Sequence, residues 1–139
     1  SARRTDTMTK IIFAFCLLVL MSVPALADMT KRMEADLRSL DPKTRLEQLC
    51  DIKAMEVVGG QKEGKHHDPD RAIADATQPP VIKGHTVVAN GAALRSHGKW
   101  HALTFTCTAT PDHMKVVNFE YELGPYIPES EWDKDGLWH

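Results

Sequence analysis

Basic excess, aromatic side chains, long apolar runs and catalytic signatures are all scarce in this sequence, and each shortage removes a class of function. Seventeen Lys and Arg stand against 19 Asp and Glu, with aromatics at 6%. That balance, without a basic cluster, leaves no electrostatic footprint for nucleic acid. The longest apolar run, residues 11–23, falls short of the ~20 residues that a spanning helix requires. No nucleophile stands beside a base and no two carboxylates read as a pair set across a cleft, so hydrolytic machinery is not legible. Internal repeats and low-complexity segments are missing as well.

What is present begins with a leader. Arg3, Arg4 and Lys10 precede the apolar run from Ile11 to Val23, which is followed by Pro24 and the small-residue pattern Ala25-Leu26-Ala27. This order predicts a secretory signal peptide over residues 1–27, cleaved so that the mature chain starts at Asp28. Met8 opens a leader of ordinary shape, so residues 1–7 are expected to lie upstream of the natural start. Cys16 follows Phe13-Ala14-Phe15 and lies in the middle of the run. It lacks the small neighbour of a lipidated cysteine.

Export sets the redox compartment. Cleavage removes three basic residues and one acidic one, leaving 14 against 18 and a mature net charge of −4. Two cysteines remain, Cys50 and Cys107. An even number in an oxidising compartment predicts a disulfide, and with two the pairing is forced. The competing reading is a single reactive thiol, which would leave the other sulfur without a role. The span from 28 to 139 suits one domain, large enough for a modest core and small enough to gain from a covalent staple.

Periodicity then divides the mature chain into a helical half and a β half. Met29, Met33, Leu37 and Leu40 recur at helical spacing and predict one apolar face. Asp41-Pro42 is a helix start, because Asp can cap free amides and Pro fits the first turn. A second helix is expected from Pro42 to about Val58, with Leu46, Leu49, Cys50 and Val57 inward and Gly59-Gly60 as its stop. Residues 59–67 read as an exposed loop. Asp68-Pro69-Asp70 repeats the capping signal and predicts a short third helix over Arg71-Ala72-Ile73-Ala74-Asp75-Ala76. Beyond Pro79-Pro80 three strands are expected: His85 to Arg95 with a bulge at Asn90-Gly91, Trp100 to Ala109, and Met114 to Leu123. Leu103, Phe105 and Cys107 should face the core with Val117, Phe119 and Tyr121, while Thr104, Thr106 and Thr108 occupy the opposite face. The tail should form a helical turn whose Trp132 and Trp138 pack back on the domain. The fold expected is α+β, with N-terminal helices on a small antiparallel three-stranded meander and one helix-to-sheet disulfide.

The run Leu40-Asp41-Pro42-Lys43-Thr44-Arg45-Leu46-Glu47-Gln48-Leu49-Cys50-Asp51 followed by Ala54-Met55, with Pro69-Asp70-Arg71-Ala72, Gly91-Ala92-Ala93-Leu94-Arg95-Ser96, Gly98-Lys99-Trp100, Phe105-Thr106-Cys107, Asp112-His113-Met114 and the Ile127-Pro128 to Gly136-Leu137-Trp138 end, resembles the Domain of Unknown Function 930 family of small exported alphaproteobacterial proteins. The resemblance covers nearly the whole mature chain. Its two cysteines match Cys50 and Cys107, and it brings no activity to carry over. Gly59-Gly60 and His101 depart from the pattern, at the end of the second helix and beside the second strand.

Chemistry-bearing side chains are sparse. His66-His67-Asp68 is the one local cluster of metal-binding types, and adjacent histidines do not present two ring nitrogens to one ion as an i, i+4 helical pair does. With His113 they are the candidate metal ligands, read first as solvated histidines. Asp112-His113 reads as a turn with Asp capping the backbone rather than as an acid–base pair. Arg71 and Arg95 are expected either to pair with Glu47 or Asp51 or to rim an anion pocket. Trp100, Tyr126, Trp132 and Trp138 could form a stacking platform, with core packing the simpler reading. The open threonine face could recruit a partner strand.

The leading expectation is a non-catalytic periplasmic protein that binds an envelope protein or cell-wall component, without a cofactor. Its rivals are a small metal-assisted hydrolase using the histidines and a carrier of a small anionic ligand near Arg71 and Arg95.

Overall fold

The computed structural model describes residues 23–60 and 68–139, with side chains from residue 30 onward. The chain divides into two compact units, residues 1–36 and 37–139. The first is represented by most of helix α1 (Val23–Ser39), and its residues 30–36 are exposed throughout. The leader expected over residues 1–27 lies outside the described residues up to position 22. The face expected to turn inward does so only at its end: Leu37 packs on the core of the second unit, whereas Met33 is 48% exposed.

In the second unit, helix α2 (Pro42–Gly59) starts and stops where its sequence dictates. Asp41 accepts hydrogen bonds from the Thr44 backbone amide at 3.1 Å and from its hydroxyl at 2.6 Å. These bonds hold the Asp41 carboxyl below its usual range. Proline in the first turn has no amide to leave unsatisfied. Leu46, Leu49, Cys50, Ala54 and Val58 form the buried stripe. Val58 takes the place expected for Val57.

The sheet has five strands rather than three: β1 (Pro69–Ile73), β2 (Val81–Lys83), β3 (Thr86–Ser96), β4 (Lys99–Ala109) and β5 (Val116–Tyr126). All pairings are antiparallel, in the order β1-β3-β4-β5, with β2 also on β3. The short helix expected over residues 71–76 is therefore corrected: 71–73 belong to strand β1, and 74–76 form a turn and bend with a single bridge from Asp75 to Gly91. Ala72 and Ala74 are buried while Arg71 and Asp75 are exposed, and this alternation of period two fits pairing on Ala93–Arg95 of β3. Two-residue loops join β2 to β3 and β3 to β4. Gly84 takes φ +59° in the first, and His97 and Gly98 take φ +51° and +72° in the second, the positive values that such tight hairpins require.

A bulge at Asn90-Gly91 decides which side of β3 faces inward. Ala89 pairs with Phe105 and Ala92 with Leu103, so two residues oppose one. The extra residue reverses the parity, and Val87, Ala89, Ala92 and Leu94 all join the core under α2. A similar shift near Ala109 pairs it with Val116. Val116 packs on the core, while Val117, expected inward, is 60% exposed.

The two sheet faces carry separate clusters. Leu103, Phe105 and Cys107 meet α2, where Cys50 and Cys107 form a fully buried disulfide with Cα atoms 6.0 Å apart. At one end of the opposite face, Ala93 and Trp100 pack with Ile127, Trp132 and Leu137 of the C-terminal tail. A short 3₁₀ turn (Glu129–Glu131) starts this tail. The indole N–H of Trp132 donates to the Ile127 carbonyl at 2.9 Å, and that of Trp100 donates to the Trp138 carbonyl at 2.8 Å.

Candidate functional site

A cleft of about 740 Å³ runs along the outer edge of β1. Its floor is six consecutive residues, Arg71 to Ala76. One wall is the flank of α2, with Glu47, Gln48, Asp51, Ile52 and Met55, and the other comes from Asp135, Gly136 and Trp138 of the tail. Alternation within β1 sends Ala72 to one sheet face and Ile73 to the other, and the turn that follows does the same with Ala74 and Ala76. Ala72 and Ala74 belong to the core beneath α2, whereas Ile73 and Ala76 pack with the tail cluster.

Gly91 holds the far end of the floor in place. The Thr77 amide donates to the Gly91 carbonyl at 2.9 Å. A β-carbon on Gly91 would lie 2.5 Å from the Gln78 backbone nitrogen and 2.6 Å from the Thr77 hydroxyl. Only glycine admits this approach.

The lining is acidic. Glu47, Asp51, Asp75 and Asp135 are opposed by Arg71. Asp51 is the most perturbed of them: burial, reinforced by the charges of Glu47 and Asp75, pushes its carboxyl up to about 8. Its Oδ1 is buried without a hydrogen-bond partner. A carboxyl in such surroundings is held neutral at pH 7 because ionising it would place an unsolvated charge among like charges. Ile52, Met55, Ile73 and Trp138 supply apolar surface between the acids, and Trp138 is 46% exposed.

The arginines expected to act together are separated in role. Arg95 pairs with Asp70 through two hydrogen bonds of 2.9 and 2.7 Å, not with Glu47 or Asp51. This hydrogen-bonded pair holds the Asp70 carboxyl below its usual range. Its guanidinium lies 5.5 Å from the Trp100 ring and 5.7 Å from the Trp138 ring, within the range of cation–π attraction. Arg71 lines the acidic cleft. Trp100 and Trp132 are buried at 0% and 4% exposure, so of the three tryptophans only Trp138 offers much open surface.

The histidine candidates also part company. His66 and His67 lie outside the described residues. His113, at φ +56°, is buried in the turn between β4 and β5. Its Nδ1 lies 2.7 Å from the Pro42 carbonyl and its Nε2 lies 2.9 Å from Nδ1 of His85. Since a carbonyl can only accept, Nδ1 of His113 donates to Pro42. Asp112 accepts from the Thr110 hydroxyl at 2.6 Å and from the Met114 amide at 3.2 Å, as a capped turn requires. Among the described residues no group of three or more His, Cys, Asp or Glu is placed to hold a metal ion.

Two features of this region were not legible as functional from the sequence. In the sequence Asp51 reads only as an arginine partner, and Asp75 falls within the helix expected over residues 71–76. The alternating pattern over residues 71–76 was the available signal. Nothing local marks Arg45 either, yet its guanidinium donates to the carbonyls of Leu37, Arg38, Leu40 and Asp112 at 2.8 to 3.1 Å. It clamps the approach to α2 onto the β4–β5 turn.

The family model described as Domain of Unknown Function (DUF930) matches residues 37–137. No curated protein and no solved structure gives a match.

Proposed function

We propose that this chain, which belongs to the DUF930 family, is a non-catalytic binding domain of the cell envelope, exported to the periplasm, whose partner seats in the cleft at the edge of β1. The observation that carries this reading is the cleft itself: about 740 Å³ of concave surface with walls from a helix, an edge strand and the tail. Concavity combined with apolar patches and a few polar groups is what ligand sites share. The acidic lining argues for a partner that brings positive charge, and against the carrier of a small anion. Export is supported by the leader pattern and by the buried disulfide, a bond that persists in oxidising compartments. The ring nitrogens of His113 serve the contact between α2 and the β4–β5 turn, which favours binding over metal-assisted hydrolysis.

The test is site-specific photo-crosslinking in the native periplasm, with the probe at Gln48 in the cleft and, as control, at Thr104 on the opposite sheet face. A discrete envelope adduct from position 48 that is missing from position 104 is expected. Adducts from 104 alone would move the binding surface to the threonine face. Native mass spectrometry of the isolated protein provides the second arm. A retained metal, with a hydrolytic activity lost on substitution of His66 or His113, would replace the binding reading with the hydrolase.

A further inference from the structure

The first half of the cleft floor, Arg71 to Ile73, is the edge of β1, which no described strand covers. β1 pairs with β3 on one side only, and no backbone hydrogen bond among the described residues reaches it from the other. An antiparallel edge strand presents unpaired N–H and C=O groups in alternation, a template for another extended chain. Here that template is recessed. The flank of α2 stands on one side of it and the tail on the other, so a chain lying along the edge would send alternate side chains to the two walls. β1 itself is the five residues Pro69–Ile73, and the floor continues beyond it through a turn to Ala76; five residues of strand span ~17 Å, enough to seat a segment of about the same number.

The walls define what such a segment must carry. Glu47 and Asp51 stand on the helix side and Asp135 on the tail side, with Asp75 at the far end of the floor and Arg71 at the near end. The apolar surfaces of Ile52, Met55 and Trp138 lie among them. Carboxylates beside apolar surface suit long cationic side chains, whose methylene stems pack while their charged ends reach an acid. A cation near Asp51 would also oppose the burial and the neighbouring Glu47 and Asp75 charges that keep its proton in place. Arg71 repels a basic residue at its own end, which gives the groove a polarity and disfavours one direction of entry.

We propose that the cleft takes an extended basic segment of a polypeptide, which adds to the free edge of β1 as a further strand and sets lysine or arginine side chains against Glu47, Asp51, Asp75 and Asp135. This mode of recognition takes affinity from main-chain hydrogen bonds and specificity from alternate side chains. The inference rests on the cleft being the binding site and specifies what occupies it.

The experiment is an amide NMR titration of the oxidised protein with a capped hexapeptide of alternating lysine and valine. Two N-methylated versions, each methylated on one alternate set of amides, a glutamate-for-lysine version and spermidine serve as comparisons. The parent peptide is expected to shift the amides of residues 71–76 and slow their exchange. One methylated peptide should bind at least tenfold more weakly while the other binds like the parent, because only one set of amides faces β1. The glutamate peptide and the Glu47→Gln, Asp75→Asn double variant should each lose at least tenfold. Equal binding by both methylated peptides, or by spermidine at the same amides, would overturn strand addition while leaving the cleft as a cation site. Self-association of the free protein through residues 71–76 would replace the basic segment by a second copy and overturn the proposal. Silence of those amides toward every probe would also overturn it, and the crosslinking at position 48 would then judge the binding reading separately.

Discussion

Asp51 departs further from ordinary behaviour than any other carboxyl described. Its pKa is pushed up from the ordinary 3.8 to about 8 by burial and by the neighbouring Glu47 and Asp75 charges. Between those values the folded protein keeps a proton that the unfolded chain releases. The native state then binds more protons, so this group's contribution to stability falls as pH rises from about 4 to about 8. Asp51→Asn keeps the shape and removes the titration. In urea unfolding the variant should match wild type near pH 4 and gain on it as pH rises, reaching on the order of 2 kcal/mol at pH 7. A variant less stable than wild type at pH 8 would show Asp51 to be ionised and paired. Asp41, Asp70 and Asp112 are shifted downward by their hydrogen bonds, and their opposite pH dependence cancels in the comparison. The sequence placed Asp51 on α2, beside the inward Cys50. Its environment depends on Asp75, 24 positions away, and no local pattern reports that meeting.

The same dependence on distant partners governs the elements. Residues 71–76 are rich in alanine and preceded by a capping signal, and both favour a helix locally. Pairing with β3 and burial of Ala72 and Ala74 beneath α2 outweigh that preference. Intrinsic propensities amount to a few tenths of a kcal/mol per residue, and tertiary packing overrides them. The bulge at Asn90-Gly91 was legible, since glycine within an alternating strand marks close approach or an extra residue. Its consequence was not, because the neighbour that requires glycine there is the Thr77-Gln78 backbone. Gly91→Ala should push that segment outward and cost about 1–3 kcal/mol, the usual range for overpacking. Thermal unfolding would measure the loss. An unchanged midpoint would mean that residues 77–78 move aside freely, and the floor of the cleft would then not be held from that end.

At the scale of the whole molecule, a disulfide ties helix α2 to the sheet. Cys50 and Cys107 are separated by 57 positions, and the chain-entropy model assigns closure of a loop of that size roughly 4 kcal/mol. Reduction should lower the urea midpoint by a corresponding amount without changing the fold, because α2 also holds the sheet through Leu46, Leu49, Ala54 and Val58. A loss below ~1 kcal/mol would mean that apolar packing already restrains the unfolded chain as much as the bridge does. Periodicity places Cys50 on the inward stripe of a helix and Cys107 on the apolar face of a strand. Helix α2, strands β3 to β5, their tight turns and the docking tail were determined by the sequence alone, since capping, alternation and turn chemistry act within a few residues. The two additional strands, the separation of Arg95 from Arg71, the His85–His113 contact and the acidic cleft were decided only by the tertiary structure. Each depends on groups that are far apart along the chain and become neighbours when α2, the edge of the sheet and the tail pack together, and local sequence carries no record of those distances.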